Sequence, residues 1–360
     1  MSFLIYGAYG YTGRLIAQEA KRRGLEPILA GRNQKKLSAQ AAELDLGCRL
    51  FNLDDVRLVV ENIRDVDTVL HCAGPFSRTS APMVEACLKA RTHYLDITGE
   101  LTVFEAVSER DEAAKLAEVM LLPGVGFDVV PTDCLAAYLK SKLPTATHLT
   151  LAVQGLGEMS RGTLKTMLDG FATGNSGAVR ENGSIKEMPV AHKTRQVDFG
   201  RGSVLTTTVP WGDVATAYHS TGIPNIEVYM ALPKMAIRAA QASRYLGGLL
   251  ALNGVQNYLK KKIDERAPGP DEAQRESGKS FLWGCVNDDA GNSAAARFTA
   301  PEAYHLTVLS GLAVVEKVLD GQASPGFQTP SAAYGADLIL ELPGVSDLEQ
   351  VEVNCHDSAA

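Results

Sequence analysis

The sequence predicts an α/β protein, with an N-terminal doubly wound parallel sheet and a second α+β domain built on a mixed sheet. Short apolar runs alternate with helical patterns over the first 130 residues. Three glycines, Gly7, Gly10 and Gly13, directly follow the first apolar run. In the second half, runs typical of strands follow one another without helices between them. Alternation predicts a parallel sheet, and consecutive strands predict a mixed or antiparallel one.

Six apolar runs near the N-terminus have the length of buried strands rather than of helices. In chain order they are FLIY, EPILAGRN, CRLFNLDD, DTVLHCAGPF, HYLDITGE and VMLLPGVG. The helical patterns between and after them are RLIAQEAKRRG, KKLSAQAAEL, VRLVVENI, SAPMVEACLKAR, VFEAVSERDEAAKLAE and DCLAAYLKSKL. Gly24 is expected to cap the end of the first helix, and Asp133 to cap the start of the last one.

The glycines lie between a strand and a helix, which is where a Rossmann domain holds a dinucleotide. We expect Gly7 to allow the tight turn, Gly10 to let a phosphate approach the backbone, and Gly13 to let the helix pack closely. The spacing G-x-x-G-x-x-G departs from the strict G-x-G-x-x-G motif. A glycine-rich turn that binds no cofactor is therefore the alternative.

The end of the second strand indicates which cofactor binds. An NAD site usually carries Asp or Glu there, whereas this sequence has Arg32, followed by Lys35 and Lys36. A guanidinium suits a 2′-phosphate, so the sequence predicts NADP, with NADPH preferred over NADH. The alternative is that Arg32 is an ordinary solvated loop residue.

Five stretches in fixed order resemble one family. They are GAYGYTGR, LAGRN, CAGPF, YLDITGE and GVGFDVVPTD, within residues 7–133. Together they resemble the saccharopine dehydrogenase-like oxidoreductases, a family that includes saccharopine reductases and trans-acting enoyl reductases. The G-F-D-x-x-P-x-D pattern and the T-G-E ending are most similar to the enoyl reductase branch.

The resemblance implies roles for particular residues. Three carboxylates at strand ends, Asp96, Glu100 and Asp128, are the catalytic candidates, with helix capping or ribose binding as the alternative for each. The residues expected to contact the cofactor are Gly7, Tyr9, Gly10, Tyr11, Thr12, Gly13, Arg32, Asn33, Ala73, Gly74 and Pro75.

The second half of the chain is predicted in less detail. Strands are expected over 147–157, 203–209 and 226–232, a helix over 161–175, an exposed loop over 267–279, and a frayed tail from Leu348. The basic, apolar-centred stretch 234–262 is expected to be helical, as a lid, a membrane-surface helix, a dimer face or a buried helix. The predicted domains are 1–133 for the cofactor, 134–300 for substrate and dimerisation, and 301–345 returning to the first.

Composition limits the function further. The net charge of −7 argues against a nucleic-acid-binding surface. Six scattered cysteines without a C-x-x-C pair predict reduced thiols, no zinc site and a cytoplasmic protein. No histidine spacing indicates a metal site.

The sequence therefore predicts an NADP-dependent oxidoreductase that transfers hydride to a C=C, C=N or C=O bond of a small or lipid-like metabolite. It is expected to be a homodimer with a peripheral membrane contact through 234–262. The alternative is a non-catalytic NADP-binding scaffold or membrane-surface partner protein.

Overall fold

The computed structural model describes residues 2–155, 157, 160–162, 164–165, 168, 177–243, 252–267 and 269–352. The chain forms two compact units. The first is Met1–Val130 with Tyr304–Tyr334, and the second is Pro131–Ala303 with Gly335–Ala360. The chain enters the first unit a second time over Tyr304–Tyr334.

The first unit contains a parallel sheet of seven strands in the order β15-β6-β5-β4-β1-β2-β3. Six of them are the predicted strands: β1 (Phe3–Tyr6), β2 (Ile28–Gly31), β3 (Cys48–Leu50), β4 (Thr68–His71), β5 (His93–Asp96) and β6 (Met120–Leu122). The seventh, β15 (Gly326–Phe327), comes from the returning segment and was not predicted from the sequence. Tyr6 pairs with His71, and His71 with Asp96, so these three strand ends are level.

Helices connect these strands. They are α1 (Tyr11–Arg22), α2 (Gln34–Leu44), α3 (Val56–Ile63), α4 (Phe76–Ala90), α5 (Leu101–Ser108) and α6 (Asp111–Ala117). The sequence predicts α5 and α6 as one helix. The returning segment adds α12 (Ala303–Leu319) and α13 (Pro330–Tyr334). Fully buried side chains such as Leu4, Ile16, Leu70 and Leu95 form the core, as expected for parallel strands covered on both faces.

The second unit contains a mixed sheet in the order β10-β11-β12-β7-β13-β14-β16, with β8 paired to β12 and β9. Its strands are β7 (His148–Gln154), β8 (Gly177–Glu181), β9 (Ser184–Met188), β10 (Thr194–Asp198), β11 (Ser203–Thr208), β12 (Asn225–Ala231), β13 (Lys279–Asn287), β14 (Ser293–Pro301) and β16 (Glu349–Val351). Strands β7 and β12 are parallel, whereas β13 is antiparallel to both β7 and β14. The two sheets confirm the predicted fold class.

The helices of this unit are α7 (Val130–Lys142), α8 (Asp213–Thr221), α9 (Lys234–Ser243), α10 (Asn253–Asp264) and α11 (Glu272–Ser277). The prediction of an exposed loop over 267–279 is wrong, because this stretch contains α11. A capping box formed by Asp271 and Gln274 begins the helix. Asp133 is also no N-cap, because it lies within the first turn of α7 and accepts a hydrogen bond from the Ser220 hydroxyl.

Three further expectations changed. The sequence missed β8, β9 and β10. The start of the tail predicted to fray from Leu348 contains β16 (Glu349–Val351), which pairs with β14, whereas residues 353–360 lie outside the described residues. The stretch 234–262 contains two described helices, while its middle, like most of the helix predicted over 161–175, lies outside the described residues.

Cysteine pairing differs from expectation in one place. Cys48, Cys72, Cys87 and Cys134 are free. Cys285, on β13, is disulfide-bonded, so the prediction of reduced thiols is wrong for it.

Within the described part of the chain, no helix has the length and apolarity needed to cross a membrane. The same residues include no group of three His, Cys, Asp or Glu side chains that could hold a metal ion.

Gly155, after β7, gives a test of the second sheet. Its φ is +95°, and a Cβ there would lie 2.4 Å from the carbonyl oxygen of Lys279. We expect Gly155→Ala to lower the free energy of unfolding by about 2 kcal/mol, since it combines a strained backbone with a clash. Urea unfolding measures this. Gly47→Ala, where no atom lies within 4 Å of the added Cβ, is the control and should change stability by less than about 0.5 kcal/mol.

Candidate functional site

The glycine loop folds tightly against the turn that follows β4. Gly7 has a φ of +83°, and a Cβ there would lie 2.8 Å from the Cβ of Ala73. A Cβ on Gly13 would lie 2.4 Å from the Gly7 carbonyl oxygen. The Gly7 amide donates to the Ala30 carbonyl at 2.9 Å, which ties the loop to β2. The structure therefore brings the glycine loop, α1 and the β4 turn into contact.

The N-terminus of α1 has the features of an anion site. Gly10 is its N-cap residue, no side chain caps the helix, and its first turn contains no acidic residue. The first N–H groups of a helix have no partner within the helix, and they carry the positive end of its dipole. The backbone at Thr12 and Gly13 therefore fits a dinucleotide pyrophosphate.

Tyr9 contacts the loop that follows β2. Its hydroxyl accepts hydrogen bonds from the amides of Arg32 and Asn33, at 3.2 and 3.1 Å. Its ring covers Gly31, where a Cβ would lie 2.5 Å from the Tyr9 Cε1. Tyr9 therefore fixes the loop after β2 relative to the glycine loop.

Three cations are exposed after β2. Arg32, Lys35 and Lys36 all have exposed side chains, and none forms an ion pair with any residue the structure describes. Asn33 caps α2, because its Oδ1 accepts from the Lys36 amide at 3.0 Å. An unpaired guanidinium beside two lysines fits the 2′-phosphate of NADP.

The turn Ala73–Gly74–Pro75, which contains a cis Gly74–Pro75 peptide bond, is held by side chains behind it. The Thr79 hydroxyl donates to the Ala73 carbonyl at 2.6 Å, and His71 Nε2 lies 3.0 Å from the same hydroxyl oxygen. Burial lowers the pKa of His71 to about 3, so the ring is neutral at physiological pH. Because the single Thr79 proton goes to the carbonyl, His71 Nε2–H is the donor in the second bond.

Glu100 occupies the N-terminus of α4. Its two carboxylate oxygens accept from the backbone amides of Phe76 and Ser77, at 2.6 and 2.9 Å. This is the helix-capping alternative that the sequence left open for this residue. Glu100 therefore stabilises the start of α4, directly after the Pro75 turn.

Asp96 is fully buried, and donors surround its carboxylate. Its Oδ1 accepts from the amides of Thr98 and Gly124, both at 2.9 Å, and its Oδ2 accepts from the Tyr94 hydroxyl at 2.6 Å. Burial raises the pKa of Asp96 to about 6, although these hydrogen bonds act in the opposite direction. The arrangement ties the ends of β5 and β6 together.

Asp128 follows β6 at the carboxyl edge of the sheet and is partly exposed. Burial raises the pKa of its carboxyl to about 6. A Cβ on Gly99 would lie 2.6 Å from the Asp128 Oδ2, so the missing side chain of Gly99 makes room for this carboxyl. Asp128 is thus the candidate that combines access with a perturbed pKa, a property that clusters at functional sites.

Sequence reasoning missed several residues around this edge. Tyr94 lies two residues before Asp96, so the period of two in a strand could have paired them. Thr307 and Ser310 on α12 bond the loop after β6, and Tyr304 on the same helix contacts the Tyr11 ring. These three residues lie in the stretch AYHLTVLSG, which weakly continues the family resemblance, but no contact was predicted for them.

The N-terminal part of the chain, which contains the glycine loop, matches a known protein family. Residues 3–122 match the family model described as the saccharopine dehydrogenase NADP binding domain. This stretch belongs to that family. The resemblance inferred from the five motifs is confirmed, and the family indicates a nicotinamide cofactor.

Two curated relatives are similar over about half of this chain. A saccharopine dehydrogenase-like oxidoreductase of Bos taurus is 25% identical over 214 residues, covering 52% of this chain and 50% of that protein. A trans-acting enoyl reductase of Mycobacterium ulcerans is 27% identical over 183 residues, covering 48% and 42%. The match thus spans about half the length of these relatives.

A solved structure is similar over both units. The apo saccharopine dehydrogenase (L-Glu forming) of Saccharomyces cerevisiae aligns with a TM-score of 0.65, covering 98% of this chain and 100% of that chain. The sequences are only 11% identical, so the likeness concerns the fold.

Replacing Asp96 tests its role in holding the strand ends. We expect Asp96→Ala to lower the free energy of unfolding by about 3 kcal/mol, because the buried donors of Tyr94, Thr98 and Gly124 lose their acceptor. Chemical denaturation measures the loss. The exposed Asp54→Ala is the control, and a similar loss there would contradict a specific role for Asp96.

Proposed function

We propose that the protein is an NADPH-dependent oxidoreductase that reduces a C=C, C=N or C=O bond in a hydrophobic or amphipathic metabolite. The observation that carries this proposal is the Asp128 carboxyl, partly exposed at the sheet edge and with its pKa raised to about 6. By the switch-point rule, ligands of such sheets bind outside the carboxyl ends of the strands. The family of residues 3–122 supports the cofactor.

The chain's own residues would hold the cofactor at three places. The N-terminus of α1 would bind the pyrophosphate, and Arg32, with Lys35 and Lys36, would bind the 2′-phosphate. The turn at Ala73–Pro75 would border the nicotinamide ribose, as the family resemblance implies. NADPH bound there would supply the hydride, which is the cofactor's chemistry rather than the protein's.

Asp128 would supply the proton. A protonated carboxyl donates its O–H proton to the substrate atom that receives no hydride, and the carboxylate left behind recovers a proton from water. A pKa of about 6 keeps a usable protonated fraction near neutral pH while the group still gives up its proton readily. Relatives named trans-acting enoyl reductase favour a C=C bond, so an enoyl thioester is the first substrate to test.

Cofactor choice is tested by Arg32→Ala. We expect the affinity for NADPH to fall about 10- to 100-fold, because a charge-assisted hydrogen bond to the 2′-phosphate is lost, while NADH affinity changes less than about twofold. Nicotinamide fluorescence titration measures both. Arg22→Ala is the matched control, since Arg22 is an exposed arginine at the opposite end of α1.

Equal losses for NADPH and NADH in Arg32→Ala would contradict the 2′-phosphate assignment. Failure of the wild-type protein to bind either nucleotide would mean that the glycine loop is only a turn.

Asp128→Asn tests the proton donor. We expect turnover of the enoyl thioester to fall about 100-fold, with NADPH affinity unchanged within about twofold. Wild-type turnover should decrease as the pH rises through about 6, since the proton donor is then lost.

Stability gives an independent check on Asp128. An acid whose pKa is raised in the folded state favours folding while it is protonated, and this contribution is lost as pH rises from about 4 to 6. Asp128→Asn should therefore increase the free energy of unfolding at pH 8 by roughly 1–2 kcal/mol, relative to the wild type. An unchanged stability at pH 8 would show that the carboxyl is not desolvated.

A membrane-surface role is a second proposal. It is supported by two exposed side chains of the stretch 234–262, Met235 at 72% exposure and Tyr258 at 61%. Tyr258 lies two residues before the basic run 260–262. Binding of the protein to anionic vesicles would favour this role, provided that neutralising substitutions at Lys260, Lys261 and Lys262 abolish the binding.

NADPH binding without turnover of any enoyl, imine or keto substrate would favour the scaffold alternative. The homodimer and the cytoplasmic location stay predictions.

A further inference from the structure

One face of α12 contains polar groups in an otherwise buried helix. Tyr304, Thr307 and Ser310 follow each other at intervals of three residues, which places them along one side of the helix. Thr307 and Ser310 are buried, at 8% and 1% exposure. We name these three residues the α12 stripe. Buried hydroxyls are retained where they satisfy other groups.

The lower part of the α12 stripe holds the loop that contains Asp128. The Thr307 Oγ1 accepts from the Phe127 amide at 3.0 Å, and the Ser310 hydroxyl donates to the Val125 carbonyl at 2.7 Å. A Cβ on Gly126 would lie 3.0 Å from the Thr307 Cγ2, so the loop also packs tightly on this side chain. Asp128 directly follows Phe127 in the chain, so the position of Asp128 depends on these hydrogen bonds.

The upper part of the α12 stripe contacts the start of α1. The rings of Tyr304 and Tyr11 meet edge to face, with centroids 5.0 Å apart and planes at 87°. Tyr11 is the first residue of α1, directly after the glycine Gly10. Edge-to-face ring pairs have a preferred geometry, so a change in the position of one ring affects the other.

We propose that Thr307 is a positioning residue for Asp128, and that the α12 stripe couples the glycine loop to the Asp128 loop. A dinucleotide that orders the glycine loop also restricts the Tyr11 ring, which contacts Tyr304. The rigid helix transmits this restriction to Thr307 and Ser310. The Asp128 loop is thereby held more firmly when the cofactor is bound. This proposal rests on the proposed function, because it concerns the same cofactor and the same carboxyl.

Hydrogen–deuterium exchange of the peptide covering 120–130, with and without NADPH, tests the coupling. In the wild type we expect NADPH to slow exchange at least threefold. Tyr304→Ala should abolish this slowing, and Tyr304→Phe, which keeps the ring, should retain it. Thr307→Val should exchange about fivefold faster without NADPH, because the Phe127 amide loses its acceptor. Thr307→Ser, which keeps the hydroxyl, should restore exchange to within twofold of the wild type.

The outcomes separate the two proposals. If wild-type protein binds NADPH but Tyr304→Ala shows full slowing, the coupling is overturned while the proposed function stands. If Thr307→Val exchanges at the wild-type rate, Thr307 does not position the loop. If the α12 stripe had a structural role alone, the substitutions would speed exchange equally with and without NADPH. The ratio of the two exchange rates would then equal that of the wild type. If fluorescence titration shows no NADPH binding to the wild type, the proposed function and the coupling both fail.

Discussion

The carboxylate of Asp96 joins pieces of chain that are far apart in sequence. It accepts from Tyr94 on its own strand, from Thr98 in the following turn, and from Gly124 after β6. The Asp96 carbonyl also accepts from the Val125 amide at 2.8 Å. The turn that begins at Thr98 then supplies Glu100 to cap α4. The carboxyl ends of β5 and β6 and the start of α4 are therefore connected through Asp96 and the turn that follows it.

Asp96 and Asp128 show how surroundings separate two identical groups. Burial raises the pKa of both to about 6. Two backbone amides and a phenol hold Asp96 in place, so its exchange of protons with a substrate would break the connection between β5 and β6. Asp128 is partly exposed at the carboxyl edge of the sheet, where a ligand can reach it. Surroundings, rather than residue type, separate the carboxyl that connects β5 and β6 from the one we propose as the proton donor.

The sequence allowed the first sheet to be predicted because buried parallel strands are short continuous apolar runs. The glycine loop was predictable for the same reason, since its signal lies within a few residues. Strand β9 was missed because SIKEM is largely exposed and has no apolar run. The contacts of Glu100 and Thr307 join residues 24 and 180 positions apart, and no local pattern encodes such pairs. Candidate residues could be named from sequence, but the roles of Glu100 as a cap and of Asp96 as an anchor needed the fold.

The first unit is assembled from two separated stretches of chain, Met1–Val130 and Tyr304–Tyr334. During synthesis the glycine loop and the loop of Asp128 leave the ribosome long before α12 and β15 exist. At roughly 5–20 residues per second, the stretch from residue 131 to 334 takes roughly 10–40 s to make. For that time the edge of β6 lacks its neighbour β15, and the Phe127 amide lacks the Thr307 hydroxyl. An unpaired strand edge invites pairing with other chains, so the nascent protein passes through a period in which a chaperone would have a surface to shield.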